Sequence, residues 1–164
     1  MLKTILLSLG AALAAILVLF FVVIGRERTW ELVAGSPDPE PYDFASARRS
    51  PTNNDALACS EGLCAEPDFT IAAFEEPVEA VIEGFAQKLL SADSLARRID
   101  DRNDPTRARF VTYSPLMRFP DTIDLAAQKL PDGRTGVMAY ARAQLGREDF
   151  GKNRLRLEAL FGES

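Results

Sequence analysis

Residues 121–144 read DTIDLAAQKLPDGRTGVMAYARAQ, and this stretch decides the fold. Asp121 to Leu130 and Arg134 to Gln144 are two runs with strand-like alternation, joined by Pro131-Asp132-Gly133, a strong turn signal. Successive strand side chains point to opposite faces, so Ile123, Leu125 and Ala127 share one face of a hairpin. Val137, Ala139, Ala141 and Ala143 share the matching face of the return strand. Side chains as small as alanine let a helix lie close. The segment that follows, Phe150 to Phe161, supplies one with Leu157, Leu160 and Phe161 on its apolar side.

Upstream of the hairpin the pattern changes period. After a short extended piece, Phe69 to Phe74, the residues Glu75-Glu76-Pro77 open a helix in which Val78, Val81, Ile82, Phe85 and Leu89 form one buried stripe. Acidic residues at its start suit the helix dipole. Strand candidates follow at Leu95 to Asp100 and at Arg107 to Ser114, where Phe110 and Val111 carry the β-propensity. The implied architecture is α+β: a single N-terminal transmembrane helix, then a small, mainly antiparallel sheet covered on one side by two helices.

The transmembrane reading rests on Ile5 to Ile24, ILLSLGAALAAILVLFFVVI, twenty residues without a charge. At 1.5 Å per residue such a helix spans a hydrocarbon core of about 30 Å. The competing reading is a cleaved signal peptide, since Lys3 supplies a positive n-region. Its apolar run would be shorter and would end in a small-x-small site, whereas this one ends VVIGRERTW, so an uncleaved anchor is expected. Lys3 on one side faces Arg26 and Arg28 on the other, so charge alone does not orient it. Trp30, just outside the span, suits the interfacial belt.

Cys59 and Cys64, the two cysteines, stand close enough in LACSEGLC to close a short disulfide loop, with Gly62 available for the turn. Two free thiols, or half of an intermolecular metal site, are the other readings. A disulfide requires an oxidising compartment, which would place residues 26–164 outside the cytoplasm. Between them, Gly35 to Asn54 carries Pro37, Pro39, Pro41 and Pro51, a spacing that favours extended chain, with Tyr42 and Phe44 able to dock on the domain or a partner. The divisions are therefore an anchor over 1–27, a proline-rich linker over 28–55 and an α+β domain over 56–164.

Composition then limits the chemistry. The chain of 164 residues has no histidine, which excludes Ser-His-Asp and Cys-His nucleophile systems and His-ligated zinc. Its net charge is −5, and the acidic excess lies outside the apolar segment, so a general nucleic-acid binder is not expected. No GxSxG, P-loop or GxGxxG pattern occurs. Neither cofactor nor metal is expected.

Three segments carry a resemblance: LACSEGLC, YSPLMRFPDTIDL and AYARAQLGREDFGKNRLRLEALF. Together they resemble the bacterial and plastid family known as domain of unknown function 1499, here as a membrane-anchored proteobacterial member, which implies a single-pass anchor in the bacterial inner membrane with the domain in the periplasm. The resemblance covers about Leu57 to Phe161. It matches Ser114, Leu116, Phe119 and Asp121 to one family pattern, and Arg142, Gly146, Asp149, Gly151, Asn153, Arg154 and Arg156 to a second, more specific one. Tyr113 stands where the family usually has Arg, Ala141 and Ala143 where it has Ser, and Gln144 where it has Arg. The family brings no established reaction.

Read from the residues, Arg142, Arg147, Asp149, Asn153, Arg154 and Arg156 form the densest polar constellation. A helix start beside guanidinium groups is a candidate anion or partner site, because backbone N–H groups and Arg donors converge. The plainer reading is that Asp149 caps the helix, Asn153 ties the loop, and the arginines pair with Asp121, Asp124 or Glu158. With no catalytic group apparent, the expected function is non-enzymatic: an accessory or interaction protein of an envelope membrane complex. It would contact the bilayer through residues 5–24 and a membrane or periplasmic protein through its domain. The alternatives are an anion, small-ligand or lipid-headgroup binding domain, and a hydrolase whose signature is not visible.

Overall fold

The computed structural model describes residues 2–162; Met1, Glu163 and Ser164, which the anchor and domain divisions include, lie outside the described residues. Two helices come first, α1 (Leu2–Val23) and α2 (Arg26–Ala34). The domain follows as β1 (Asp55–Ser60), β2 (Phe69–Ile71), α3 (Val78–Ala92), β3 (Arg97–Arg98), β4 (Arg107–Tyr113), β5 (Pro120–Lys129), β6 (Thr135–Ala143) and α4 (Lys152–Phe161). The fold is the expected α+β arrangement. Its sheet of six strands runs β2-β1-β6-β5-β4-β3, antiparallel throughout except for the parallel pair β1 and β2.

The hairpin forms as its pattern predicts. Asp121 pairs with Ala143 and Lys129 with Thr135, and the turn closes with the Gly133 N–H donating to the Leu130 carbonyl. Ile123, Leu125, Ala127, Val137, Ala139 and Ala141 line the face that α3 and α4 cover, with Phe110 of β4 and with Val81, Ile82, Leu89, Leu157 and Leu160 from the helices. Ala143 is buried but lies outside that cluster. The alanines let the helices approach, as the sequence implies.

Three features go beyond the sequence reading. β1 is a central strand, although its Ala-rich DALACS run carries little β-propensity; burial in the middle of the sheet overrides it. β3 is only two residues long, because beyond Ile99 the Asp100 carboxylate, in place of a backbone carbonyl, accepts from the Arg109 N–H of β4. The third lies in the linker.

The linker is a strap that covers the second face of the sheet. Phe44 packs with Leu57, Cys59, Ala126, Met138 and Tyr140, and Tyr42 stacks on Tyr140. Ion pairs fasten it along its length. Arg109 donates to Asp38 at 2.9 Å and to Asp124 at 3.0 Å, and Arg49 donates to Asp55 at 3.0 Å and to Asp68 at 2.9 Å. The sheet therefore has helices on one side and strap on the other. Cys59 and Cys64 form a disulfide beneath the strap's apolar cluster.

Candidate functional site

The elements place both ends of the hairpin in register, and that register builds the site. Because Asp121 faces Ala143, the loop entering β5 (114–119) and the loop leaving β6 (144–151) lie at one end of the sheet. The first closes on itself: the Ser114 N–H donates to the Phe119 carbonyl, and the Phe119 N–H donates to Ser114 Oγ at 2.9 Å. The second needs glycine at two points, Gly146 and Gly151, whose φ values of +92° and +74° lie in the left-handed region that other residues enter at a cost. Between them Ser114, Phe119, Asp121, Gly146, Asp149, Phe150 and Lys152 line a cleft of about 240 Å³.

Asp121 is the cleft's buried acid. Burial pushes its carboxyl up from the ordinary carboxylate range, and the adjacent Arg156 opposes the shift without cancelling it. The Arg156 guanidinium donates to Asp121 at 3.0 Å and to the Asn153 side-chain carbonyl at 2.6 Å. Asn153, fully buried, donates in turn to the Asn54 backbone carbonyl, while Asn54 donates to the carbonyls of Ala143 and Gly146. One network thus ties β5, the end of β6 and the loop that leaves it, α4 and the segment that enters β1.

On the other side of Arg156 lies a second cleft, of about 370 Å³, between the C-terminal end of α3 and α4. Leu89, Ala92, Leu95, Tyr113, Pro115 and Leu160 make it mostly apolar, with Lys88 and Asp93 also on its walls. Arg97 from β3 donates to the Tyr113 hydroxyl and lies over its ring, 5.1 Å from the centroid. A guanidinium therefore still occupies the corner at position 113, arriving from the neighbouring strand.

The sequence-derived constellation separates in three dimensions. Asn153 and Arg156 belong to the Asp121 network. Arg154 turns outward and pairs with Glu158 at 2.8 Å. Arg142 and Arg147 are exposed and make no ion pair among the described residues. Asp149 accepts from the Gly151 N–H and the Asn153 N–H, both at 2.9 Å, so the protein's own carboxylate sits at the start of α4. Among the described residues no three His, Cys, Asp or Glu side chains stand together as a metal site would require.

The family model described as a protein of unknown function, DUF1499, matches residues 38–163. The chain belongs to the DUF1499 family. No curated protein and no solved structure matches it. The DUF1499 match begins at Asp38, in the strap and at the ion pair with Arg109, so the strap is part of the family unit while α1 and α2 precede it. Both DUF1499-like patterns converge on the Asp121 cleft: Ser114, Phe119 and Asp121 come from the first, and Gly146, Asp149, Asn153 and Arg156 from the second. Adjacent positions in the patterns signalled the loops. The Asn54 contribution, far upstream, left no sequence signal.

Proposed function

We propose that this chain is a non-enzymatic binding module, tethered by α1 in a bacterial inner membrane with its domain in the periplasm, and accessory to a membrane assembly there. α1 is, among the described residues, the one helix long and apolar enough to cross a membrane. The observation that carries the reading is the pairing inside the site. Asp121, Arg156 and Asn153 are joined by hydrogen bonds, Asn153 reaches the Asn54 backbone carbonyl, and the Ser114 hydroxyl accepts from the Phe119 N–H, which is the pattern of a structural clasp around two apolar-walled clefts. The disulfide favours the oxidising side of the membrane.

The α3–α4 cleft is the position for a protein partner, since its walls are mostly apolar and α3 and α4 both reach it. Photo-crosslinking residues placed at Ala92 and Ala159, both exposed on its walls, test this in native membranes. A discrete protein adduct at both sites, absent at Asp132 on the far turn, is expected. Stable, correctly inserted protein that yields no protein adduct at either site refutes the accessory reading.

A second reading, an anion or lipid-headgroup site, is favoured by one observation: Arg142 and Arg147 stay exposed near the site with no internal partner among the described residues. Arg142→Ala with Arg147→Ala, leaving both stability and binding to anionic vesicles unchanged, disposes of it. A hydrolase would draw on the raised Asp121 carboxyl as its acid. Its bond to Arg156 supports a structural role instead.

A further inference from the structure

The end of the sheet that holds both loops also carries four exposed apolar side chains, the others outside α1 being Leu32 and Val33 on α2, Leu90 on α3 and Leu155 on α4. Leu116 is 75% exposed, Phe150 85%, Met117 41% and Phe119 37%. Phe150 adopts φ +56°, an uncommon conformation for an aromatic residue, and stands at the rim of the cleft with most of its surface in solvent. Large apolar groups displayed on two adjacent loops mark a contact surface.

What covers them follows from how the anchor arrives. Phe21, near the end of α1, packs edge-on against Trp30 of α2 with centroids 5.5 Å apart, and Trp30 packs on Phe119 at 4.8 Å. The Trp30 indole N–H donates to the Met117 carbonyl at 2.5 Å, and Arg26 donates to the Leu116 carbonyl at 2.6 Å. The domain is thus held directly against the end of the apolar helix, with no free spacer between them. Arg118 shares a cleft with Phe21, Arg26 and Arg28, and Lys152 shares one with Phe119 and Phe150. Acidic groups occur here too, but Glu27 and Glu31 face Arg97, the exposed Glu148 accepts from the Asn53 side chain and follows Arg147 in the loop, and Asp149 is bound to backbone N–H groups. An aromatic and aliphatic rim beside exposed cations, continuous with a transmembrane helix, has the composition of a surface seated at the headgroup level.

We infer that the loops 114–119 and 144–151 sit in the interfacial layer of the phospholipid bilayer, with Leu116 and Phe150 inserted and the two clefts opening beside the membrane surface. This rests on α1 spanning the bilayer and is independent of which protein the domain assists. The opposite end of the sheet is the internal control. β5 has ten residues and at about 3.3 Å each spans roughly 30 Å, which carries the turn at 131–133 well away from the membrane.

The test uses the full chain in vesicles of phosphatidylcholine and phosphatidylglycerol. An environment-sensitive fluorescent amino acid replaces Leu116, Phe150 or Asp132 in turn; each site is exposed, so the substitution removes no core contact. Emission from 116 and 150 is expected to shift to the blue and to lose intensity when lipids carrying a nitroxide on the upper acyl chain are included. Emission from 132 is expected to stay water-like and unquenched. Water-like, unquenched emission at 116 and 150 in protein whose disulfide is intact overturns the inference. So does a blue shift without lipid quenching, the outcome if a second copy or another protein surface covers the rim.

Discussion

Tyr42 stacks on Tyr140 with ring centroids 3.7 Å apart and planes 12° from parallel, joining the strap to the central strand β6. The Tyr140 hydroxyl donates to Asp55 at 2.9 Å, and Asp55 also binds Arg49 of the strap, so an aromatic pair and an ion pair close on the same spot. A segment whose prolines mark it as an extended linker is thereby a layer of the domain. Its loss would bare the apolar face formed by Leu57, Ala126 and Met138.

Phe44→Ala tests the strap's contribution. The ring is buried against the sheet, so its removal is expected to cost about 3 kcal/mol, as for other large-to-small core substitutions. Denaturant titration of the full chain in detergent measures this. Protease cleavage within 36–50 is expected to accelerate alongside; an unchanged midpoint and cleavage rate would show that the strap is not packed in solution.

Asp55 predicts a pH dependence. Burial by itself would push its carboxyl up, but hydrogen bonds from Arg49, the Ser50 N–H and the Tyr140 hydroxyl outweigh it and hold the group below the ordinary carboxylate range. A folded-state value below the unfolded one means stability that is present at neutral pH and disappears as pH falls through that lowered value, below about pH 4. Asp55→Asn should therefore be less stable than wild type at pH 7, with the gap closing in strong acid. Unfolding midpoints of the two proteins at a series of pH values decide it; a gap that widens in acid contradicts the assignment.

Asp121 carries the opposite sign. Its carboxyl is raised by burial, with Arg156 supplying the partner charge. Removing that partner leaves a buried carboxylate uncompensated, so Arg156→Ala is expected to destabilise by about 3 kcal/mol at neutral pH. The deficit should shrink on acidification, because a protonated Asp121 needs no cation. Arg156→Ala combined with Asp121→Asn should recover part of the loss, and a double-mutant cycle reads the coupling. Additive effects would mean that the two groups act separately.

Topology is open to a direct check. A reporter active only outside the cytoplasm, fused after residue 55, is expected to be active, and Cys59 and Cys64 should resist thiol reagents until reduced. Cytoplasmic reporter activity would overturn both the periplasmic placement and the oxidised pair. Cys59→Ser with Cys64→Ser should cost about 2 kcal/mol, since the loop closed by the bridge is short.

Elements whose signals are local were legible before any folding. Period-3.6 spacing placed α3 and α4, alternation about Pro131-Asp132-Gly133 placed the hairpin, and twenty uncharged residues marked α1. Asp149 was legible as the group that would cap α4, because its partners lie within four residues. The tertiary structure alone decided the rest. Asn54 and Asn153 are 99 residues apart in the chain, Arg109 and Asp38 are 71 apart, and Trp30 and Met117 are 87 apart. No periodicity records such meetings. They arise only when the sheet closes, because a charge or an aromatic ring is satisfied by whichever partner packing brings within reach, and a run of prolines states only that a segment is extended, not what it lies against.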